Sequence, residues 1–333
     1  MIPIDATISL PMHDSTLRAL LTWDAPERLL EPLFRIGVRV DRLPEDDRTE
    51  LGLRAAIGNY HALLCAPPLP VTERVLDAAE CLRVVSTWSV GYDPIDVPAC
   101  RARGIAVGHT PGVVVEATAD IAFALVLAVM RGIICGDRFV RSGAWATTNP
   151  TYGTDLRAKT LGIIGMGAIG TAVARRAIAS GMQIVYANRT PRIDAPPGAT
   201  LLTLDALLER ADTVVLLAPA TAQTRKMMNA PAFARMQPGA FFVNASRGSL
   251  VDTQALHAAL ASGQLGGAAV DVLDPEPIGA DHPLLALPNF FITPHIGTAT
   301  KETRRAMAEL CIANAVAGLR GEPLPAAVPD TTG

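Results

Sequence analysis

Three glycines stand in the spacing G-x-G-x-x-G within the segment "GMGAIG", residues 165–170. A turn of this kind lets a phosphate group approach the backbone, and the amides of a following helix then bind the anion. The first glycine permits the tight turn, the second the approach of a pyrophosphate, and the third the close packing of helix on strand. The segment is therefore a candidate dinucleotide site, formed by Gly165, Gly167, Ala168, Ile169 and Gly170.

The elements on either side of these glycines are the ones that such a turn requires. The apolar strand "TLGIIG" precedes the turn, and the helical segment "AIGTAVARRAIAS" follows it and ends at Gly181. Glycine-rich turns are common by themselves, but a strand, this turn and a helix in that order are specific to dinucleotide binding. A tight turn without a ligand is the less favoured alternative.

The end of the next strand, "QIVYAN", indicates which dinucleotide is bound. NAD-binding sites usually place a carboxylate about 20 residues beyond the glycines, where it binds the ribose hydroxyls. Asn188, Arg189 and Thr190 stand there instead. A carboxylate would repel a 2′-phosphate, whereas a guanidinium pairs with it. We expect NADP(H) to be preferred and NAD(H) to be possible; a guanidinium that stacks on the adenine or points to solvent is the alternative.

Composition limits the other functions of the chain. Its 333 residues favour two domains, and 29 basic against 32 acidic residues, without a basic run, disfavour a nucleic-acid partner. Five scattered cysteines argue against a disulfide framework and favour a cytoplasmic location. The one membrane-like stretch, residues 121–130, is too short to span a bilayer, and no cluster has metal-ligand spacing. We predict no membrane contact and no metal.

Two α/β segments follow one another along the chain. In the first hundred residues "HALLCA", "LRVVSTWSVG" and "GIAVGHT" are predicted strands, joined by helical "TERVLDAAECL" and "DPIDVPACRARG". A longer helical region runs from Val114 to about Arg141. From Lys159 six strands are predicted, near "TLGIIG", "QIVYAN", "DTVVLLAP", "AFFVNAS", "GAAVDV" and "FFITPH", the count of a complete dinucleotide-binding sheet. An amphipathic helix from Ala299 ends at Gly321 and Pro323.

Three more segments carry polar residues at strand ends: "NASRGSLVD", "AAVDVLDPEP" and "TPHIGTAT". The chain resembles the D-isomer-specific 2-hydroxyacid dehydrogenases over most of its length. It contains these three segments, the glycine turn and "STWSVGYDPIDVPACRARGI" in the same order as members of that family. Within that family it is most similar to NADP-dependent glyoxylate/hydroxypyruvate reductases. The resemblance implies an α/β fold of two Rossmann-like domains with doubly wound parallel sheets and an active site in the interdomain cleft.

The resemblance also implies a catalytic set, namely Arg247 in "SRG", Glu276 in "DPEP" and His295 in "TPHIG". The residue types suit the reduction of a 2-keto acid. Arg247 can hold the carboxylate bidentately and help polarise the ketone. His295 can donate the proton, and Glu276 would favour the imidazolium form and fix which ring nitrogen faces the substrate. Separately, each could be an ordinary capping, turn or strand-end residue.

Other positions carry over from the family with structural alternatives. The amides of Val90 and Gly91 in "SVGYD" would meet the substrate carboxylate, unless this segment is a simple turn, and Arg247 and His295 would also contact the substrate. Asp271 matches the position that holds the nicotinamide carboxamide, although it could cap a turn. The remaining cofactor positions are Thr118, Pro219 and Gly297.

The loop after the long helix departs from many family members, which place two tryptophans there. Here Trp145 is followed by "ATTNP". Thr148 therefore stands at the position where an aromatic residue of a partner subunit could otherwise close the pocket. The resemblance implies a homodimer whose contacts are made by the long helix and loop after Val114.

The leading hypothesis is an enzyme that reduces glyoxylate or hydroxypyruvate to the D-2-hydroxy acid with NADPH, with His295 as proton donor. One alternative is a larger 2-keto acid, such as 2-ketogluconate or an aryl pyruvate, because of Thr148. Another is a non-enzymatic dinucleotide sensor, since the same fold also serves as a transcriptional corepressor. We predict a flavodoxin-like substrate-binding domain over residues 1–107 and 300–333, and a dinucleotide-binding Rossmann domain over residues 108–299.

Overall fold

The computed structural model describes residues 16–329. These form two compact units: one holds the residues up to Pro111 and from Arg305 onward, and the other holds Gly112–Arg304. The domain limits and the roles of the two domains stay predictions.

Twelve strands and eleven helices are present in the described residues. The strands are β1 (Arg18–Leu21), β2 (Arg39–Arg42), β3 (Ala62–Cys65), β4 (Val84–Thr87), β5 (Ala106–Gly108), β6 (Thr160–Ile164), β7 (Gln183–Ala187), β8 (Thr200–Leu201), β9 (Thr213–Leu216), β10 (Ala240–Asn244), β11 (Leu265–Val270) and β12 (Phe290–Ile292). The helices are α1 (Glu27–Phe34), α2 (Glu50–Ala56), α3 (Glu73–Leu76), α4 (Val97–Ala102), α5 (Val115–Arg131), α6 (Ile133–Arg141), α7 (Ala168–Ala179), α8 (Leu204–Arg210), α9 (Ala230–Arg235), α10 (Thr253–Ala261) and α11 (Lys301–Arg320).

The first unit is a five-stranded parallel sheet in the order β2-β1-β3-β4-β5. Helices α2, α3 and α4 pack against one face, and α1 and α11 pack against the other. Strands β3 and β4 are buried along their whole length. Such strands read as continuous apolar runs because both faces are covered, and for this reason the sequence pattern identified them.

The second unit is a seven-stranded parallel sheet in the order β12-β11-β10-β9-β6-β7-β8. Counted from β8 to β11, this is the order of a dinucleotide-binding sheet, and β12 adds a seventh strand. Helices α5 and α7 cover one face and α8, α9 and α10 the other. Two parallel sheets with helices on both faces confirm the predicted fold class.

Sequence patterns missed three strands and joined two helices. All six strands expected from Lys159 onward are present. The remaining strand of that sheet, β8, was not predicted, because it has only two residues, both exposed, and therefore no apolar pattern. The strands β1 and β2 were not predicted. The single helical region expected over 114–141 is two helices, α5 and α6, bent by 61° at Gly132, whose φ of 61° ends the first helix in a left-handed conformation.

Helix α5 and helix α6 also bear on the membrane question. Within residues 16–329 no single helix is long and apolar enough to cross a membrane, and only this bent pair together meets the test of length and composition.

The direction of the strands gathers polar loops at one edge of the second sheet. Strands β6 and β9 are neighbours, and the chain leaves them toward opposite sides of the sheet order. Ligands of open parallel sheets bind outside the carboxyl ends of the strands at such a reversal. The loops that follow β6, β7, β9, β10, β11 and β12 all leave from this edge, and they contain every candidate site residue of the second unit except Thr118 in α5 and residues 168–170 in the first turn of α7.

Candidate active site

The glycine turn after β6 leaves one open approach to its backbone. A Cβ on Gly165, which has φ of +97°, would lie 2.6 Å from Ala218 N, and one on Gly170 would lie 2.6 Å from Gly165 O. A Cβ on Gly167 would meet nothing within 4 Å. Two glycines are therefore required for packing, and the middle one leaves space where a pyrophosphate can approach. The turn fits the phosphate portion of a dinucleotide.

The first turn of α7 supplies the amide donors for that anion. Its N-cap is Gly167, which has no side chain, so no side-chain oxygen caps the helix. By contrast, Thr203, Asn229 and Asp252 cap α8, α9 and α10 of the same unit. The initial N–H groups of a helix need a partner, and a bound anion is one that also suits the helix dipole. The backbone of Ala168 and Ile169 lies in this uncapped turn.

The residues after β7 divide into one that supports the glycine turn and two that face solvent. Asn188 accepts a hydrogen bond from Met166 N at 2.7 Å and donates one to Met166 O at 3.2 Å. Arg189 and Thr190 are exposed. Nearby, Arg192 is paired with Asp194 at 2.7 Å, and this hydrogen bond holds the pKa of the Asp194 carboxyl below its usual value.

Arg247 stands on a turn built by the last residue of β10. Asn244, buried to 1 % exposure, donates to Arg247 O at 3.0 Å and accepts from Ser246 N at 3.0 Å. Arg247 itself is half-buried, and its Nη1 donates to Ser246 O at 2.9 Å. The next residue, Gly248, touches the backbone of Leu273, since a Cβ there would be 2.0 Å from the Leu273 carbonyl carbon. This contact sets the arginine turn against the segment that leads to Glu276.

The side chains of His295 and Glu276 form a hydrogen bond. The Nδ1 atom of His295 lies 2.6 Å from Glu276 Oε1, and the two side chains are 43 % and 41 % exposed. The histidine backbone has φ of 52°, a left-handed conformation in which residues other than glycine are uncommon, and its amide donates to Asp271 O at 2.9 Å. Strained backbone that the surroundings hold in place is typical of functional sites.

Asp271 organises the loop that carries this histidine. It is 3 % exposed, and its Oδ1 accepts from Thr293 Oγ1 at 2.5 Å and from Ile296 N at 2.8 Å. Its Oδ2 accepts from Gly297 N at 2.8 Å. The carboxylate thereby holds residues on both sides of His295, which is a structural role beside the predicted contact with a carboxamide.

Thr118 and Pro219 lie next to parts of this site. A Cβ on Gly297 would be 3.8 Å from Thr118 Oγ1, so the threonine of α5 faces the loop after β12. Pro219 is exposed and follows Ala218, the residue that packs on the Gly165 turn. Both predicted cofactor residues therefore border the carboxyl edge of the second sheet.

The predicted Val90 and Gly91 positions lie in the first unit, on the loop after β4. Gly91 N donates to Ser89 Oγ at 3.1 Å, and Val90 O lies 2.9 Å from Nδ1 of His109. The carbonyl of Val90 is thus engaged by His109, the residue that follows β5.

Known proteins match this chain over most of its length. Residues 123–297 match the family described as D-isomer specific 2-hydroxyacid dehydrogenase, NAD binding domain. The chain is 41 % identical over 278 residues to the glyoxylate reductase of Thermofilum pendens, with 82 % of each chain covered. The chain belongs to the D-isomer-specific 2-hydroxyacid dehydrogenase family.

Two further relatives of this dehydrogenase cover most of its length. It is 40 % identical to the human glyoxylate reductase/hydroxypyruvate reductase, over 82 % of this chain and 85 % of the human one. An NADPH-dependent glyoxylate/hydroxypyruvate reductase of Sinorhizobium meliloti, solved in complex with NADP and malonate, matches with a TM-score of 0.86 and 34 % identity, over 95 % and 98 % of the two chains. The expectations of an enzyme and of a nicotinamide dinucleotide cofactor are confirmed.

Sequence reasoning assigned no role to several residues that shape this dehydrogenase. Asn244, Thr293 and His109 hold the turns that carry Arg247, His295 and Val90. Asparagine at a strand end before "SRG" is a turn signal that could have been used, because asparagine side chains bond to their own turns. The contacts of Thr293 and His109 join segments 22 and 19 residues apart, and no local pattern predicts them.

Proposed function

We propose that this dehydrogenase reduces a small 2-keto acid, glyoxylate or hydroxypyruvate, to the D-2-hydroxy acid with NADPH. The substrates are those in the names of the archaeal, human and bacterial relatives. The contact between His295 Nδ1 and Glu276 Oε1 is the observation that carries the proposal. It fixes one ring nitrogen and leaves the other for the substrate.

The proton transfer follows from this pair. When bound, the reduced nicotinamide supplies the hydride that adds to the carbonyl carbon. Nδ1 of His295 is committed to Glu276, so the imidazolium donates its Nε2 proton to the carbonyl oxygen and becomes neutral, with its Nδ1 proton still held by the carboxylate. The carboxylate fixes the orientation of the ring.

The substrate carboxylate needs a positively charged group and amide N–H groups as hydrogen-bond donors. We assign it to the guanidinium of Arg247, whose planar fork suits a carboxylate, and to the amides of Val90 and Gly91. The 2.9 Å bond from Nη1 to Ser246 O limits the directions that the guanidinium can take. A fixed donor set holds the ketone in one orientation for reaction.

The cofactor preference rests on the end of β7. The residues present there carry no carboxylate, and Arg189 is exposed at that end of the sheet. An exposed guanidinium can pair with a 2′-phosphate without first breaking a buried ion pair. We therefore infer that NADPH is preferred over NADH and that Arg189 is the residue responsible.

We also propose a homodimer formed through α5, α6 and the loop after them. Large apolar side chains are exposed there: Ile133 at 54 %, Val140 at 51 %, Trp145 at 66 % and Tyr152 at 102 %. Exposed apolar side chains gathered in one segment of a chain are typical of a protein interface.

The direct test is a set of initial rates of NADPH and NADH oxidation with glyoxylate, hydroxypyruvate, pyruvate, phenylpyruvate and 2-ketogluconate. The proposal expects the highest kcat/KM with NADPH and one of the first two acids. Faster turnover of phenylpyruvate or 2-ketogluconate would contradict the small substrate. No turnover of any keto acid would contradict the reaction.

A further inference from the structure

Two neighbouring peptides of the loop after β4 are held by residues that follow β5. Ser89 O accepts from Thr110 N at 2.9 Å, and Val90 O lies 2.9 Å from His109 Nδ1. The first carbonyl belongs to the peptide whose N–H is that of Val90, and the second to the peptide whose N–H is that of Gly91. In a planar trans peptide the carbonyl and the N–H point in opposite directions. Holding both carbonyls therefore aims both amides.

The ring of His109 is itself fixed. It is 8 % exposed, and its plane lies at 84° to the ring of Tyr92, with 5.5 Å between the ring centres. A carbonyl oxygen only accepts hydrogen bonds, so Nδ1 carries the proton and donates it to Val90 O. The neutral and the charged forms of the imidazole can both make this bond.

The backbone of His109 is anchored as firmly as its ring. Its amide donates to Ala326 O at 3.0 Å, and its carbonyl accepts from Nδ2 of Asn314 at 3.0 Å. Asn314 is fully buried in α11, and its Oδ1 accepts from Ala326 N at 2.9 Å. The histidine therefore joins the loop after β4 to α11 and to the segment that contains Ala326.

We propose that His109 is a positioning residue for the substrate carboxylate, which it serves by fixing the Val90–Gly91 peptide. This inference rests on the proposed function, in which those amides bind the carboxylate. Donors that are oriented before binding lose less conformational freedom when the ligand arrives. In the structure Gly91 N donates to Ser89 Oγ at 3.1 Å, so the carboxylate takes this N–H in place of Ser89 Oγ, whose hydroxyl keeps its own proton to donate.

The test compares His109→Phe, which keeps a ring beside Tyr92 but has no donor, with His109→Asn, whose Nδ2 stands as many bonds from Cα as Nδ1 of histidine. The proposal expects His109→Phe to raise KM for glyoxylate about fivefold, the usual effect of one hydrogen bond, with kcat within about twofold and NADPH affinity unchanged. His109→Asn should restore KM to within about twofold of the wild type.

The matched control is His61→Phe, which makes the same substitution in the same unit. His61 precedes β3 at the opposite, amino edge of the sheet, where its Nδ1 accepts from Arg18 N at 3.2 Å. It should leave KM for glyoxylate unchanged. If His109→Phe does not fold, His109→Leu replaces it, and the inhibition constant of oxalate against glyoxylate gives a second readout of carboxylate binding.

An unchanged KM in His109→Phe, or an equal rise in KM in the Phe and Asn variants, would overturn the role of His109 as a donor. A weaker NADPH affinity in parallel with KM would show a general structural role and overturn it as well. A wild-type enzyme that reduced no 2-keto acid would instead refute the proposed function, and this inference with it.

Discussion

Asn188 holds the glycine turn from the neighbouring strand end, because its side chain makes hydrogen bonds of 2.7 and 3.2 Å to the two sides of one residue, Met166. Met166 is fully buried and stands between Gly165 and Gly167. The end of β7 therefore has two separable tasks. Asn188 shapes the turn where the phosphates of any dinucleotide would lie. Arg189 would bind the 2′-phosphate that distinguishes NADP from NAD.

Asn188→Ala should weaken the binding of NADPH and of NADH to a similar degree. The substitution removes both bonds to Met166, and each hydrogen bond contributes about 1 kcal/mol, so we expect a loss of about fivefold to thirtyfold for either cofactor. Fluorescence titration of both cofactors measures it. A loss confined to NADPH would show that Asn188 contacts the 2′-phosphate directly.

Arg189→Ala should weaken the binding of NADPH and leave that of NADH unchanged. A hydrogen bond to a charged group contributes about 1.5–3 kcal/mol, so the ratio of kcat/KM for NADPH to that for NADH should fall by at least about tenfold. Arg192→Ala is the matched control, because that guanidinium is already paired with Asp194 at 2.7 Å. If only the control variant lost the preference, Arg192 would be the residue that reads the phosphate.

The sequence predicted the elements of this dehydrogenase whose burial produces a continuous apolar run. Strands β3, β4, β6 and β9 are buried throughout and were found, whereas β2 contains three charged residues and has no buried position. The glycine turn was found because backbone approach restricts the residue type at fixed positions. At Gly132 the sequence showed a glycine in an apolar helix, and its left-handed conformation, which divides α5 from α6, became visible only in the structure.

The site was predicted less completely than the fold. Residues that touch a ligand carry distinctive chemistry, so Arg247 and His295 could be proposed from their motifs. Residues that hold those side chains in place, such as Asn244 and Thr293, act through contacts that depend on the register of separate strands. Asp271 was predicted as a cofactor contact, and its three hydrogen bonds to the loop of residues 293–297 were not foreseen.

Asp271→Asn should lower both stability and activity. An amide can accept at only one of its ends, so the bond to Gly297 N or the bond to Ile296 N must be broken. A buried donor left without its partner destabilises a protein by about 1–3 kcal/mol. Urea unfolding measures this change, and kcat should fall because the same loop carries His295. Asp252→Asn, at the half-buried cap of α10, is the control. Equal stability of the Asp271 variant and the wild type would contradict the role given to this carboxylate.

Trp145→Asp should dissociate the proposed homodimer. A buried tryptophan is a frequent centre of interface energy, so its replacement by a charge should raise the dimer dissociation constant by at least about thirtyfold, a change of about 2 kcal/mol. Sedimentation velocity over a concentration series measures it. Ile193→Asp is the control, because Ile193 is 107 % exposed and lies outside the α5–α6 segment. A wild-type protein that sediments as a monomer would refute the dimer.

Substitutions of His295 and Glu276 test the proposed mechanism most directly. His295→Ala removes the proton donor, so kcat should fall by about 100-fold to 10,000-fold, the usual contribution of general acid catalysis, while NADPH still binds. Glu276→Gln keeps a hydrogen-bond acceptor 2.6 Å from Nδ1 but removes the charge that stabilises the imidazolium, so its loss in kcat should be smaller. The double variant should be no slower than His295→Ala, since Glu276 acts only through the histidine. Steady-state rates of the three variants test this, and independent, additive losses would show that Glu276 serves the reaction by another route.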